Sequence, residues 1–412
     1  MASRRATRPP ITPVSTERLR RMALHAQGLL EQTPFGRGRG AVQRAVERLG
    51  YVQIDTISVV ARAHDHVLHS RVPNYEPKHL DRLQDAGVLF EYWYHAAAYL
   101  PMRDYRFALP HMERMRNFEE RWIRSRDTKL MAEVLARVAD EGPLMARDFE
   151  SPPAGASGWW NWKPTKRALE QLFMQGDLMV TGRDGFQKSY DLRERVLPAD
   201  TDTRMPTQRE LADHLLETTI GAHGFIAPKA VTHLRRGQAI RQALTAAIDD
   251  RLAAGTLLAL QQPCGVLAYT EPERLEGRAP RAPGRALLLS PFDPAVIHRD
   301  RVLSVFDFDY QIECYLKEAD RRFGYFCLPI AYRDQLVGRV DCKAHRDEGR
   351  FELKHLHLEP PRGSNKLLDA GFLPALADAI KRFAAFNGCA EVTVTKVSPG
   401  SWQEPVAESL AG

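Results

Sequence analysis

The sequence predicts an α+β protein: at least three winged-helix-like units in tandem, followed by a small β-barrel or sandwich with one helix. Three observations carry this. A helix–glycine–strand pattern recurs along the first two thirds of the chain. Two of its occurrences run on into hairpins. The last third turns strand-rich after a Pro/Gly/Arg-rich segment, "EGRAPRAPGR" at 276–285.

In chain order, "MASRRATRPPITP" is basic and proline-rich and lacks the apolar core of a secretory signal, so a basic disordered tail is expected over residues 1–14. In "GAVQRAVERLGYVQID", Val42, Ala45, Val46 and Leu49 fall on one helical face, Gly50 follows, and "YVQID" reads as a strand. "HLDRLQDAGVLFEYWYHAAAYLP" repeats this in part, with Leu80 and Leu83, then Gly87 and an apolar run. In "TKRALEQLFMQGDLMVTGRDGFQKSYDL", Leu169, Leu172 and Phe173 make the face, and Gly176 suits a left-handed helix terminus. Leu178 and Val180 then alternate as in a strand, and "GRDG" supplies a hairpin turn before Tyr190. "RQALTAAIDDRLAAGTLLALQQPCGVLAYT" repeats the order with Leu244, Ala247, Ile248 and Gly255. Helix, strand, turn and return strand form the back half of a winged helix. Residues 143–149 and 207–216 fit its earlier helices, and Thr207 with Glu210 matches a capping box. The expected divisions are 15–130, 131–203, 204–278 and 279–412. In the last, Asp334 and "RDEG" at 346–349 mark turns between strands, and an amphipathic helix spans about 367–386.

Composition narrows the class of function. The 412 residues are 44% apolar, enough for sizeable cores, and no apolar run is long enough to span a bilayer. The five cysteines include no C-x-x-C pair or zinc-finger spacing, and their odd number argues against a disulfide framework. A reducing, cytoplasmic setting is expected, with no membrane partner. The net charge of +6 and pI near 9.0 point towards nucleic acid. The sequence contains no Walker A loop, H-E-x-x-H or G-x-S-x-G elbow, and no cofactor is expected. "GRGRG" at 36–40 reads as a basic flexible loop, either solvated or contacting phosphate.

Four stretches hold candidate chemistry. Gln53 and Asp55 in "YVQID" share one face if the chain is extended there. They form the solvent face of a half-buried strand, or Asp55 caps a helix over "TISVVARAH", or the two are a catalytic pair. The catalytic reading suits hydrolysis of a glycosidic bond. Its transition state is cationic at the sugar, so a carboxylate both stabilises charge and activates water. An amide holds the water or sugar without competing for the proton. In "LFEYWYHAAAYLP", Glu91, Tyr94 and His95 sit among aromatics suited to stacking on an extruded base; the alternative is an aromatic core. Arg62, His64 and Arg71, with His66 and His69, read as phosphate or groove contacts or as a solvated face, the spacing lacking a metal-ligand pattern. Lys163, Lys166 and Arg167 beside Trp159, Trp160 and Trp162 are candidate DNA contacts, or those tryptophans pack the start of a helix.

Taken together, "YVQIDTISVVARAHDHVLHSRVPNY", "LFEYWYHAAAYLP", "GWWNWKPTKRALEQLFMQGDLMV", "GFQKSYDLRERVLP", "LLSPFDP", "FDFDYQIECYL" and "GYFCLPIAYRDQLVGRVDCKAHR" resemble the winged-helix DNA glycosylases of the AlkZ-like group, most closely its YcaQ (AlkX) branch. The similarity runs from about residue 16 to about 395. It implies tandem winged helices forming a C-shaped clamp, a C-terminal β-barrel-like domain, excision of alkylated purines and unhooking of interstrand crosslinks. Gln53-Ile54-Asp55 matches the Gln–aliphatic–Asp motif of that branch. The expected partner is double-stranded DNA carrying alkylated purines or crosslinks, met by a nucleoid-associated monomer. Two other classes compete: a non-enzymatic winged-helix regulator, which would prefer an operator over random duplex, and a protein-binding scaffold, whose binding would be insensitive to salt.

Overall fold

The structure is a computed structural model of the chain and describes residues 10–117, 127–149, 164–232, 237–262, 265–359 and 369–412. Strand β1 (Ile11–Pro13) and helix α1 (Thr16–Ala26) come first. The first repeating unit follows: α2 (Gly38–Leu49), β2 (Val52–Gln53), α3 (Ala63–His69), α4 (Lys78–Asp85), β3 (Leu89–Trp93) and β4 (Ala97–Pro101). Helix α5 (Leu109–Arg116) leads to the second: α6 (Thr128–Glu141), β5 (Leu144–Met145), α7 (Pro164–Met174), β6 (Leu178–Asp184), β7 (Gln187–Leu192) and the short α8 (Arg193–Val196). The third comprises α9 (Gln208–His223), α10 (Pro228–Val231), α11 (Gln238–Ala253), β8 (Leu258–Gln261) and β9 (Leu267–Thr270).

The first two sheets share one strand order, β2-β4-β3 and β5-β7-β6, in which the last strand of the hairpin lies in the middle. In the third, Ile226 bridges Tyr269 of β9 and takes the place of the first strand. The outer edge of β8 is covered in parallel by β1. The expected tail over 1–14 is therefore corrected: Ile11–Pro13 is an ordered strand that satisfies the edge of β8, while residues 1–9 lie outside the described residues.

At Gly50 the structure lies one step out of phase with the expected repeat. The helix–glycine–hairpin motif of the first unit is α4, Gly87, β3 and β4; the stretch around Gly50 is the earlier helix and first strand. Residues 36–40 are not a loop throughout, because α2 begins at Gly38. Residues 144–148 form β5 and a 3-10 turn. Thr207 and Glu210 make the reciprocal bonds of a capping box at the start of α9.

The remaining chain supplies β10 (Ala286–Leu288), α12 (Pro294–Ile297), α13 (Arg299–Phe306), β11 (Cys327–Tyr332), β12 (Gln335–His345), β13 (Arg350–Leu358), α14 (Phe372–Phe386), β14 (Glu391–Val394), β15 (Val397–Ser398) and α15 (Gln403–Ala411). The four strands β10 to β13 run antiparallel, and β14 and β15 pair in parallel with β13. Bulges at Ile330/Ala331 and Asp341/Cys342 help this sheet curl into a half-barrel. The helix expected over 367–386 is α14, whose Phe372, Leu376, Ile380 and Phe383 fill the trough. It is joined by α12, α13 and α15, which the reading of one helix missed.

The units are not separate beads. Tyr92, Tyr105 and Met112 of the first share a core with Leu169, Phe173 and Tyr190 of the second. At roughly 1.5–3 kcal/mol for each fully buried side chain of this size, that core joins the two firmly.

Candidate active site

Gly50 ends α2 in the left-handed conformation, φ +78°, and turns the chain into β2. A Cβ there would lie 2.2 Å from Cγ2 of Thr218 on α9, so glycine is needed for both the turn and the helix contact. Val52 pairs with Tyr99 and Gln53 with Ala98, and the Ile54 N–H donates to Ala97 O at 2.7 Å. Tyr92 also pairs with Ala98 and Glu91 with Tyr99. Paired residues project to the same side of an antiparallel sheet, so Gln53 and Glu91 face opposite ways.

Gln53 is buried, and its Oε1 accepts from His95 Nε2 at 3.1 Å. Tyr94 and His95 form the turn of the β3–β4 hairpin. Tyr94 stacks on Tyr51 at 4.3 Å and His95 meets the same ring edge-on at 5.1 Å. The structure thus brings Tyr94 and His95 to Gln53. Glu91 is corrected as a lesion contact: it is fully buried and clamped by Arg183, whose Nε and Nη2 donate to its two oxygens at 2.9 and 2.7 Å. That pair ties the first unit to the hairpin of the second.

Asp55 lies just beyond the strand, half-buried. Its Oδ1 accepts the Ile57 N–H at 2.8 Å, an Asx turn. It does not cap a helix, because residues 56–62 are irregular and α3 starts at Ala63. Backbone groups here find partners on the C-terminal half-barrel instead: Ala344 N–H donates to Val59 O at 2.8 Å and Arg346 Nη1 to Ser58 O at 3.1 Å. Burial raises the proton affinity of the Asp55 carboxyl above the usual aspartate value, opposed in part by the Ile57 and Thr56 N–H groups.

Across from Asp55 stand Cys314 and Tyr315, both of which feel its charge. Ile57 and Ile312 of the two loops pack on the same apolar core. Tyr315 is 75% exposed, the most exposed large apolar side chain among the described residues. Sequence reasoning quoted "FDFDYQIECYL" without assigning Tyr315 a role; an aromatic in an irregular stretch carries no periodic signal that marks it.

The basic candidates divide. Arg62 is half-buried, its guanidinium 4.5 Å above the Phe186 ring. Lys166 and Arg167 are exposed on the first turn of α7. Lys163 and the three tryptophans lie outside the described residues. Arg71 is corrected: its side chain has no exposed surface and donates to both Asp293 oxygens at 2.7 and 2.8 Å and to Gln27. A guanidinium so enclosed has nothing to offer DNA. His64 is corrected likewise, being buried against Tyr99. His66 Nε2–H donates to Leu288 O at 2.8 Å, and the ring stacks on Phe383; His69 stacks on Phe386. Burial pushes His66 down to about 4 and His69 to about 3, so both are neutral packing groups and not a solvated face. Among the described residues no cluster of three metal-ligating side chains occurs.

The frame around this site is that of a known class of repair enzyme. The fold matches Streptomyces sahachiroi DNA glycosylase AlkZ with a TM-score of 0.62 at 16% identity, over 94% of this chain and all of that one. The family described as "DNA glycosylase AlkZ-like" matches residues 46–386, and the chain belongs to it. It is a DNA repair glycosylase, and DNA is its partner. Among the described residues no helix is long and apolar enough to cross a membrane.

Proposed function

We propose that this glycosylase hydrolyses the N-glycosidic bond of N7-alkylated purines and unhooks interstrand crosslinks, using water activated by Asp55. Alkylation at N7 leaves the base positively charged and already a good leaving group, so no strong general acid is needed. Asp55 stabilises the cationic sugar and takes a proton from water; Gln53, turned by His95, orients that water or the deoxyribose. The observation that carries the reading is the Asp55 carboxyl itself: half-buried, fixed by its turn, raised in proton affinity and lying two residues from a buried amide held by an imidazole. A carboxylate of raised proton affinity is a stronger base, which is what water activation asks for.

No lysine occurs between residues 38 and 77, which favours water over a Schiff-base lyase, and a monofunctional enzyme over a bifunctional one. The three repeating units act as winged helices of a clamp that works as a monomer on nucleoid DNA. Arg62, Lys166 and Arg167 supply sequence-independent contacts to phosphates. Tyr315 stacks on the lesion as it is exposed beside Asp55. An open cleft, unlike a closed base pocket, admits a crosslink that cannot be fully extruded.

The test is a duplex carrying one N7-methylguanine, incubated with the protein and then treated with alkali. Cleavage at the lesion after alkali, and none before it, is expected. An intact strand after alkali overturns the reading. A second duplex with an N7-linked interstrand crosslink should resolve into single strands; persistence of the crosslink removes the unhooking activity alone.

A further inference from the structure

A cleft of about 520 Å³ lies between the start of α2, the end of α3, strand β10 and helix α14. Neither Gln53, Asp55 nor His95 lines it. Four arginines do, at positions 37, 71, 285 and 382, and no carboxylate does.

The charges do not cancel. Arg71 is matched by Asp293, as described above. Arg382 reaches Asp378 at 3.0 Å on the outer surface. Arg285 donates only to carbonyls, Glu31 O at 2.6 Å and Ser70 O at 3.2 Å, and its buried Nε has no partner. Arg37 makes no ion pair among the described residues. Among the described residues neither Arg37 nor Arg285 thus makes an ion pair, and the carboxylate whose charge reaches Arg285, Asp378, is already held by Arg382. Burial, and then the neighbouring charge of Arg382, lower the Arg285 guanidinium to about 10. An isolated charge removed from water is costly, and an anion in the cleft would offset that cost.

The lining also has an apolar part on helix α14. His69 lies flat on Phe386 at 4.1 Å with the rings 12° apart, and His66 lies on Phe383. The volume exceeds that of a bare phosphate and falls in the range of small-molecule pockets. A phosphate with a sugar attached fits both features: oxyanions for the arginines, and a ring against the part of Phe386 that His69 leaves open.

We propose that this cleft is a phosphate-binding site for a nucleotide unit, with Arg37, Arg285 and Arg382 around the phosphate and the sugar against the half-buried Phe386. The unit is supplied by a free nucleotide or by a backbone phosphate of bound DNA, and one set of measurements separates the two. The proposal does not depend on the role of Asp55.

The variant Arg37→Glu with Arg382→Glu changes two exposed side chains outside the catalytic site. Lys343→Glu with Lys354→Glu gives an equal charge change on the exposed side of the half-barrel sheet. Calorimetric titration of the full chain with inorganic phosphate and with dAMP is run beside salt-dependent binding to undamaged duplex. If the ligand is a free nucleotide, dAMP binds the parent and the lysine variant, and binds the arginine variant at least tenfold more weakly. If it is a DNA phosphate, the slope of log K against log salt becomes shallower by about 1 in the arginine variant and not in the lysine variant. The proposal is overturned if neither phosphate nor dAMP binds the parent and the two variants show the same slope.

Discussion

Asp55→Asn separates chemistry from architecture more cleanly than any other change in this site. Asparagine keeps an oxygen at Oδ1, so the bond from the Ile57 N–H and the turn it closes survive. What disappears is the charge. If the carboxylate serves as general base, its loss lowers single-turnover excision roughly 10²–10⁴-fold, or about 2.7–5.4 kcal/mol of transition-state stabilisation. Stability moves the other way. Burial raises the pKa of Asp55 in the folded protein above its unfolded value, so folding favours the protonated form. That contribution is fully present below the ordinary aspartate pKa and is lost as pH rises through the raised one. At pH 7 the parent therefore carries the cost of a desolvated charge, and the Asn variant should melt no lower than the parent. The pH dependence of excision in the parent should rise through the same raised pKa as Asp55 loses its proton. The assay is single-turnover release of N7-methylguanine, with thermal melts of both proteins at pH 5 and pH 7. Excision within tenfold of the parent by a variant that melts normally would refute the assignment.

Other consequences follow from named contacts. Arg71→Ala leaves Asp293 buried and unpaired and should cost about 3–5 kcal/mol in denaturant unfolding; a loss under about 1 kcal/mol would show the pair to be dispensable. Tyr315→Ala should weaken binding of lesion-bearing duplex by roughly 5- to 150-fold, the equivalent of about 1–3 kcal/mol of stacking, with little effect on undamaged duplex. Equal losses on both duplexes would count against a lesion contact. His66 and His69 are held neutral with pKa values of about 4 and about 3, below the unfolded value near 6.5. The unfolded chain takes up these protons first, so stability should fall as pH drops from about 6.5 towards 4. His69→Phe, which keeps the stack on Phe386, should flatten that decline; an unchanged profile would exclude the pair as its source.

Much of the architecture was legible because periodicity and glycine placement are local signals. Gly50, Gly87, Gly176 and Gly255 each take positive φ at the end of a helix, and each is followed by an extended segment. The Gln53–Asp55 candidate and its hairpin neighbours Tyr94 and His95 were recoverable for a related reason, since β2 and the β3–β4 hairpin lie close in sequence and in space. What was illegible is non-local. Nothing near Arg71 announces Asp293, 222 positions away, and without that partner a basic residue among histidines reads as a surface for DNA. Glu91 misled in the same way, because Arg183 belongs to another unit. The edge strand Ile11–Pro13 is only three residues long and exists because β8 offers an open edge.

The tethering of residues 56–62 to Ala344 and Arg346 has a consequence for when this enzyme becomes dangerous to the genome. A chain emerging from the ribosome folds its first units well before the half-barrel has been made. During that interval the Gln–Ile–Asp motif exists, yet the loop that aims its carboxylate has no template to lie against. If Asp55 is the catalytic base, competence to break a glycosidic bond therefore waits until Ala344 and Arg346 have been made and folded into the half-barrel. A truncated product retaining the first three units would keep the Gln–Ile–Asp motif while lacking the Ala344 and Arg346 donors that hold Val59 O and Ser58 O.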